Sequence, residues 1–423
     1  MILIYFILLL VLILKSKSIA IFFVLLQIFS LLGTVFIGQE YPINTIFKFL
    51  NVILTIIILT LIIIPWINFK SINKISFSNE VKLKKLTRFL IIISIFPFIV
   101  FSVTSIFVFL FVQDINTFKY AEGVSEDFFY NLPFDVRAII LSNYIYGFSY
   151  FLIPLHFYYL SKRNYYLSFW CFIFSLNIVL YGLTYFSRSV FVHYAFIYLA
   201  FVIMLYGTFE FRIKKFLKNS MFLILSLMIV YFVNISIERF TTDNLYAENI
   251  PSNALIQDPV LYSYFDYLSQ WYYNNMYVLN SYNFKTFNGQ ISLQPVLYLL
   301  GQYNIINYDP NTYSSLRQQL WPLHWYTFNG FVAYIVYDLG YILTIVFSLV
   351  YYLIILKLRP KNNQISLLNL FLIVLLIQLP LLAIFYSSIG GIIIPLLLAT
   401  PVFIYMKISL RVNKSSKMGI LLK

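Results

Sequence analysis

Apolar stretches follow one another along this chain from Met1 to Met406, and no soluble-looking domain separates them. A helix needs about 20 apolar residues to cross the hydrocarbon core, because each backbone amide must find its partner within the segment. Eleven stretches come close, at approximately 1–14, 18–37, 45–66, 89–112, 138–160, 165–186, 189–209, 219–237, 331–356, 366–387 and 390–406. The expected fold is all-α: a polytopic integral membrane protein of about eleven transmembrane helices, with residues 1–423 forming a single membrane domain. Met1 to Leu14 lacks a basic start, and no small-residue cleavage site follows Lys15 and Lys17, so it is expected to be a short retained first helix rather than a signal peptide.

Composition points the same way: 61% of the 423 residues are hydrophobic and only 10% are charged. A soluble domain carries about a quarter charged residues. The formal net charge of +14 would suit nucleic acid only if the basic residues gathered on one soluble face. Instead they sit between the apolar runs, and they alternate. The connections holding Lys15, Lys17, Lys70 to Arg88, Lys162, Arg163, Arg212 to Lys218, Lys357 to Lys361 and the C-terminal tail contain 22 of the 29 basic residues. The other set of charges is Lys48, Lys119, Arg137, Arg188, Arg239, Lys285 and Arg317, together with every acidic residue except Glu80 and Glu210. Basic connections belong on the cytoplasmic side, which puts the N-terminus outside and the C-terminus inside.

Two outer connections exceed what a turn requires. The smaller spans 113–137, and the larger, 238–330, runs far beyond the usual few residues of a helix connection. The larger is dense in Tyr, Trp, Phe and Asn, so it lacks the low hydrophobicity of disordered segments and should fold onto the membrane surface. Within it Ile291 to Leu300 is apolar but too short to span, which suggests a membrane-lying or re-entrant helix. No internal repeat supports the duplicated architecture of many transporters.

Candidate chemistry is sparse. The lone Cys171 sits in an apolar run, no HExxH or paired-cysteine spacing is present, and no GxxxxGK loop could hold a nucleotide. Neither a metal nor another cofactor is expected. On the outer side the cations stand out, because the charge bias removes most of them. Arg188 lies in the tight hairpin Tyr185-Phe-Ser-Arg-Ser-Val190, with Tyr181, Thr184 and Tyr185 on the adjoining helix face. It can grip phosphate bidentately or anchor to lipid headgroups. Arg239 and Arg317 border the large loop, and three guanidiniums together could hold a pyrophosphate. The quieter alternatives are a local pair with Glu238 for Arg239 and an exposed helix face for Arg317. His324, in Trp321-Pro-Leu-His-Trp-Tyr-Thr-Phe-Asn-Gly330, suits a general base or an interfacial hydrogen-bonding role, and its neighbours Trp325 and Tyr326 suit sugar faces. His156 and His193 read as structural. Asp338, two turns into the ninth stretch, is costly if unpaired and is expected to hold an outer arginine in place. Asp258 and Asp266 are weaker candidates for a base.

The Arg188-Ser189 hairpin, the large loop from Glu238, and Tyr326-Thr327 followed by Asp338-Leu-Gly340 occur in the order seen in Wzy-type O-antigen and capsule repeat-unit polymerases. The chain resembles that family over most of its length. It lacks the RxxxxxxxxxxG pattern of some members at Arg188, Arg239 and Arg317. The resemblance implies a GT-C-like architecture in the bacterial inner membrane and metal-independent glycosyl transfer at its periplasmic face. The implied substrates are glycans linked to undecaprenyl pyrophosphate, with membrane lipids and a chain-length regulator protein as partners and no nucleic acid. His324, Arg188, Arg239 and Arg317 would be catalytic, and Tyr185, Trp325, Tyr326 and Asp338 would line the substrate site. A lipid-linked-oligosaccharide flippase, an O-antigen ligase and an envelope scaffold are the rival readings, and the long loop and missing repeat argue against the flippase.

Overall fold

The computed structural model of the chain describes residues 2–38, 45–70, 72–112, 118, 128–130, 132, 135–240, 248, 250–309 and 328–420, with the backbone alone at Arg188, at most positions of 223–240 and from 408 onward. Of the described residues, 79% are helical. Its first helices are α1 (Ile2–Leu14), α2 (Ala20–Phe36), α3 (Ile46–Ile63), α4 (Glu80–Phe111) and α5 (Val136–Ile145). Next come α6 (Ser149–Ser161), α7 (Tyr165–Ser175), α8 (Asn177–Thr184), α9 (Arg188–Leu205) and α10 (Phe211–Phe240). The last are α11 (Pro259–Asn280), α12 (Gln290–Gln302), α13 (Gly330–Leu358), α14 (Leu367–Leu376), α15 (Gln378–Leu382) and α16 (Ile389–Ile420).

Each of the eleven apolar stretches falls at least in part in helix, 219–237 within α10. Seven helical stretches among the described residues are long and apolar enough to cross a membrane: Ile46–Asn68, Glu80–Phe111, Val136–Ser161, Tyr165–Thr184, Ser189–Thr208, Gly330–Leu358 and Ile389–Lys407. Ile2–Leu14, Ala20–Phe36 and Leu367–Leu382 are apolar but shorter. The second half of α13 shows which solvent these helices meet. Thr344, Ser348, Tyr351 and Ile355 form a buried stripe at helical spacing, whereas Ile342 is 78% exposed and Leu343, Val346, Leu349, Val350 and Leu353 share the outer face. Hydroxyls inside and aliphatics outside reverse the polarity of a water-solvated helix and suit lipid. These features are those of a multi-pass membrane protein.

The chain groups into two compact units. The first comprises Met1–Ser71, Tyr231–Arg359 and Ile377–Ile393. Here α11 lies among α2, α3 and α13, although it comes from the loop the sequence assigns to the membrane surface. Asp258 caps its start by accepting from the Leu261 amide at 2.8 Å, and Pro259 occupies its first turn. Gly33 of α2 lets it approach, since a Cβ there would collide with the Ser269 side chain. At this contact the Ser30 hydroxyl donates to the Leu268 carbonyl at 2.6 Å and accepts from the Trp271 indole. The residues before α11 dock on the end of α2: Leu255 donates its amide to the Phe36 carbonyl at 3.0 Å, and the rings of Phe36 and Phe265 lie 5.0 Å apart.

The second unit comprises Ile72–Val230, Pro360–Leu376 and Ile394–Lys423. Four basic connections meet at one of its ends. Lys74–Ser76 (β1) and Gln364–Ser366 (β2) form a two-stranded parallel sheet with Ile75 opposite Ile365. Gly207 abuts the Ile72 carbonyl, Lys162 pairs with Glu80 at 3.6 Å, and Arg163 pairs with Glu210. Such exposed pairs stabilise little, and what they mark is which connections share an end. At the opposite helix ends of this unit an apolar cluster gathers Val108, Phe118, Phe129, Leu132, Ile139 and Phe186, joining parts of the 113–137 connection to the Tyr185 hairpin.

Candidate functional site

Asp338 organises the best-defined polar site of the first unit. Its α13 helix breaks at Gly340, where φ 80° and ψ 169° lie in a region essentially closed to side-chain-bearing residues. The break withdraws the i+4 amides that would otherwise bond the carbonyls of Tyr337 and Asp338. Those carbonyls accept instead from Phe287 at 2.9 Å and Gly289 at 3.1 Å, in the connector between α11 and α12. The Asp338 carboxylate completes the seam. Its two oxygens accept from the amides of Ile291 at 3.0 Å and Ser292 at 2.9 Å, the second and third residues of α12. The residue before α12, Gly289, has no side chain to cap it, so the cap comes from another helix. A carboxylate at the positive end of a helix satisfies hydrogen bonding and charge together.

Tyrosines tighten the same seam. The Tyr337 hydroxyl donates to the Val278 carbonyl at 3.1 Å, and the Tyr341 hydroxyl donates to Asn51 Oδ1 at 3.2 Å. Tyr282 rests against both rings at 5.0 and 5.2 Å, and burial raises its hydroxyl above the usual phenol value. The motif Tyr337-Asp-Leu-Gly-Tyr341 is therefore a docking strip for the large loop. Asp338 was expected to hold an arginine; among the described residues, the groups bonded to it are the Ile291 and Ser292 amides and the Ser292 side chain.

The head of α13 is fixed in a similar way. Its free amides at Gly330, Phe331 and Ala333 donate to the Phe385 carbonyl at 3.1 Å, the Ala383 carbonyl at 2.9 Å and Asn275 Oδ1 at 2.8 Å. Asn275 also donates to Thr55 at 3.2 Å. Phe328 is pinned by Asn274, which donates to its carbonyl at 3.0 Å, and its ring meets Tyr267 at 4.7 Å and Phe385 at 5.1 Å. Sequence reasoning missed Trp271, Asn274 and Asn275. Their signal was the spacing Tyr267, Trp271, Asn274, Asn275, Val278, one face of a helix inside a segment that reads as an aromatic loop.

In the second unit Tyr185 is half-buried at the end of α8. Its hydroxyl accepts from Asn143 Nδ2 at 3.1 Å, and its ring lies 5.1 Å from Tyr181, which stacks on Tyr146 at 4.7 Å. The chain then turns through Phe186 at φ 48° and enters α9 with Arg188 as its first residue. Ser187 makes no capping bond to α9, and its hydroxyl lies 2.9 Å from that of Ser189. A helix start whose first amides have no side-chain cap, opened by an arginine, suits an anion.

No protein-family model, curated protein or solved structure matches the chain. Of the residues singled out in the sequence, Arg239 falls in the last turn of α10 with only its backbone described, as for Arg188. Arg317, His324, Trp325 and Tyr326 lie outside the described residues. Among the described residues no group of three or more His, Cys, Asp or Glu could hold a metal. His156 is buried and engaged on both sides: its Nδ1 lies 3.0 Å from the Ser168 carbonyl and 2.9 Å from the Ser168 hydroxyl, and its Nε2 lies 3.1 Å from the Tyr198 hydroxyl.

Proposed function

We propose that this protein polymerises oligosaccharide repeat units carried on undecaprenyl pyrophosphate, at the outer face of a bacterial inner membrane. The chain would cross about eleven times, in a GT-C-like arrangement with the N-terminus outside. One observation carries the reading: the large loop is seated within the helices of its unit by α11 and latched by Asp338 to the start of α12. A fixed loop of this kind suits an enzyme that preorganises a site beside the membrane surface. A transporter must instead free the groups around its substrate to alternate access.

In this mechanism an acceptor sugar hydroxyl attacks the anomeric carbon of a lipid-linked chain. The new glycosidic bond forms as the bond to pyrophosphate breaks, and undecaprenyl pyrophosphate leaves. His324 takes the acceptor proton. Arg188, Arg239 and Arg317 neutralise the charge on the departing pyrophosphate, work that oriented donors perform at any developing anion. Tyr185, Trp325 and Tyr326 stack against sugars, and Asp338 holds the loop that carries Trp325 and Tyr326. The leaving group is already activated, so nucleotide is unnecessary.

Deleting the gene distinguishes the alternatives on one glycan gel. The polymerase reading predicts surface glycans of a single repeat unit. Loss of all surface glycan would indicate a flippase, long unattached chains would indicate a ligase, and a normal ladder would leave the protein outside this pathway.

A further inference from the structure

We infer that the second unit carries a binding site for one anionic phospholipid of the leaflet on its basic side. An open groove of about 460 Å³ runs between the start of α4 and the middle of α16, within the roughly 300–1,000 Å³ range of small-molecule sites. Leu86 and Phe89 form one wall, Pro401 and Val402 the other, and Phe148 completes the lining. Its flanks face the solvent of the lipid-exposed helix surfaces: Phe89 is 54% exposed, and Ile92, Leu397 and Ile404 beside it are also exposed. An acyl chain is the occupant that suits walls of this chemistry.

Charge selects which lipid enters. Lys85 lines the groove together with Tyr405, within the first turns of α4 that also carry Lys82, Lys84 and Arg88. Lys85 is exposed, and among the described residues no carboxylate pairs with it; Glu80, at the start of the helix, is engaged by Lys162. An ammonium at the mouth of an apolar groove, backed by further cations on the same helix end, matches a phosphate joined to a hydrocarbon chain. The site does not depend on the glycan reading, because none of its residues belongs to the proposed catalytic set.

Native mass spectrometry of the full chain, released from detergent with phosphatidylglycerol or phosphatidylethanolamine added, tests the inference. The expected result is retention of one phosphatidylglycerol, with a preference over phosphatidylethanolamine that Lys85→Gln lowers about fivefold, the share of one basic residue at an anionic surface. Val402→Trp, which fills the groove without touching charge, should remove the retained lipid while the protein remains folded by circular dichroism. Equal retention of both lipids, or retention unchanged by both substitutions, overturns the site. Displacement of phosphatidylglycerol by inorganic phosphate alone also overturns it, since the ligand would then be the free anion.

Discussion

Replacing Asp338 tests whether the large loop is latched as described. Asp338→Ala removes the acceptor of two amides at the start of α12. Hydrogen bonds to a charged acceptor are worth about 1.5–3 kcal/mol each. Because the two share one carboxylate they do not add fully, and a loss of about 3 kcal/mol in the docking of α12 is the reasonable expectation. That corresponds to roughly a hundredfold more frequent opening. Amide hydrogen exchange read by mass spectrometry should show this gain in peptides covering 287–302, with α4 unchanged. Asp338→Asn keeps an acceptor oxygen without its charge and should fall between, near tenfold. Unaltered exchange of α12 in a folded Asp338→Ala protein would refute the latch. Gly340→Ala should loosen the same peptides by a separate route, since its backbone angles cost a non-glycine residue about 1–3 kcal/mol.

Other substitutions address the packing and the chemistry. Gly33→Leu should lower thermal stability by the about 1–3 kcal/mol typical of overpacking, and Ser269→Gly should recover part of it, as measured by unfolding in detergent. Asn275→Leu should cost about 1–3 kcal/mol by stranding the Ala333 amide, read in the same assay. Arg163→Ala should leave the unfolding temperature in detergent essentially unchanged, because its pair with Glu210 is exposed. Arg188→Ala, Arg239→Ala and Arg317→Ala should each slow chain extension by about 10²–10³-fold while the protein still inserts, seen as collapsed glycan length. Normal chain length in all three would exclude the pyrophosphate clamp.

The helices were legible because crossing a bilayer imposes a run of apolar residues that no side-chain detail can disguise. Ile291–Leu300 was legible for a related reason, and α12 covers it. The seat of α11 was hidden. Its Gln, Asn, Ser and Tyr residues make it too polar to read as part of a membrane bundle, and only the partners that satisfy them, Ser30, Thr55 and the head of α13, make that placement affordable. The task of Asp338 escaped for a different reason. A search for its partner looks for a cation among side chains, whereas among the described residues the positive charge it meets belongs to backbone amides at a helix start. The pairing of β1 with β2 joins three-residue strands far apart in the chain, too short for any periodicity to announce.

The most direct test of the central claim is reconstitution of the purified protein in liposomes with a lipid-linked repeat unit as sole substrate, the products being resolved by mass spectrometry. The proposal predicts a ladder of lipid-linked glycans spaced by one repeat unit, with one undecaprenyl pyrophosphate released for each linkage formed. Repeat units that change leaflet yet never lengthen would contradict it.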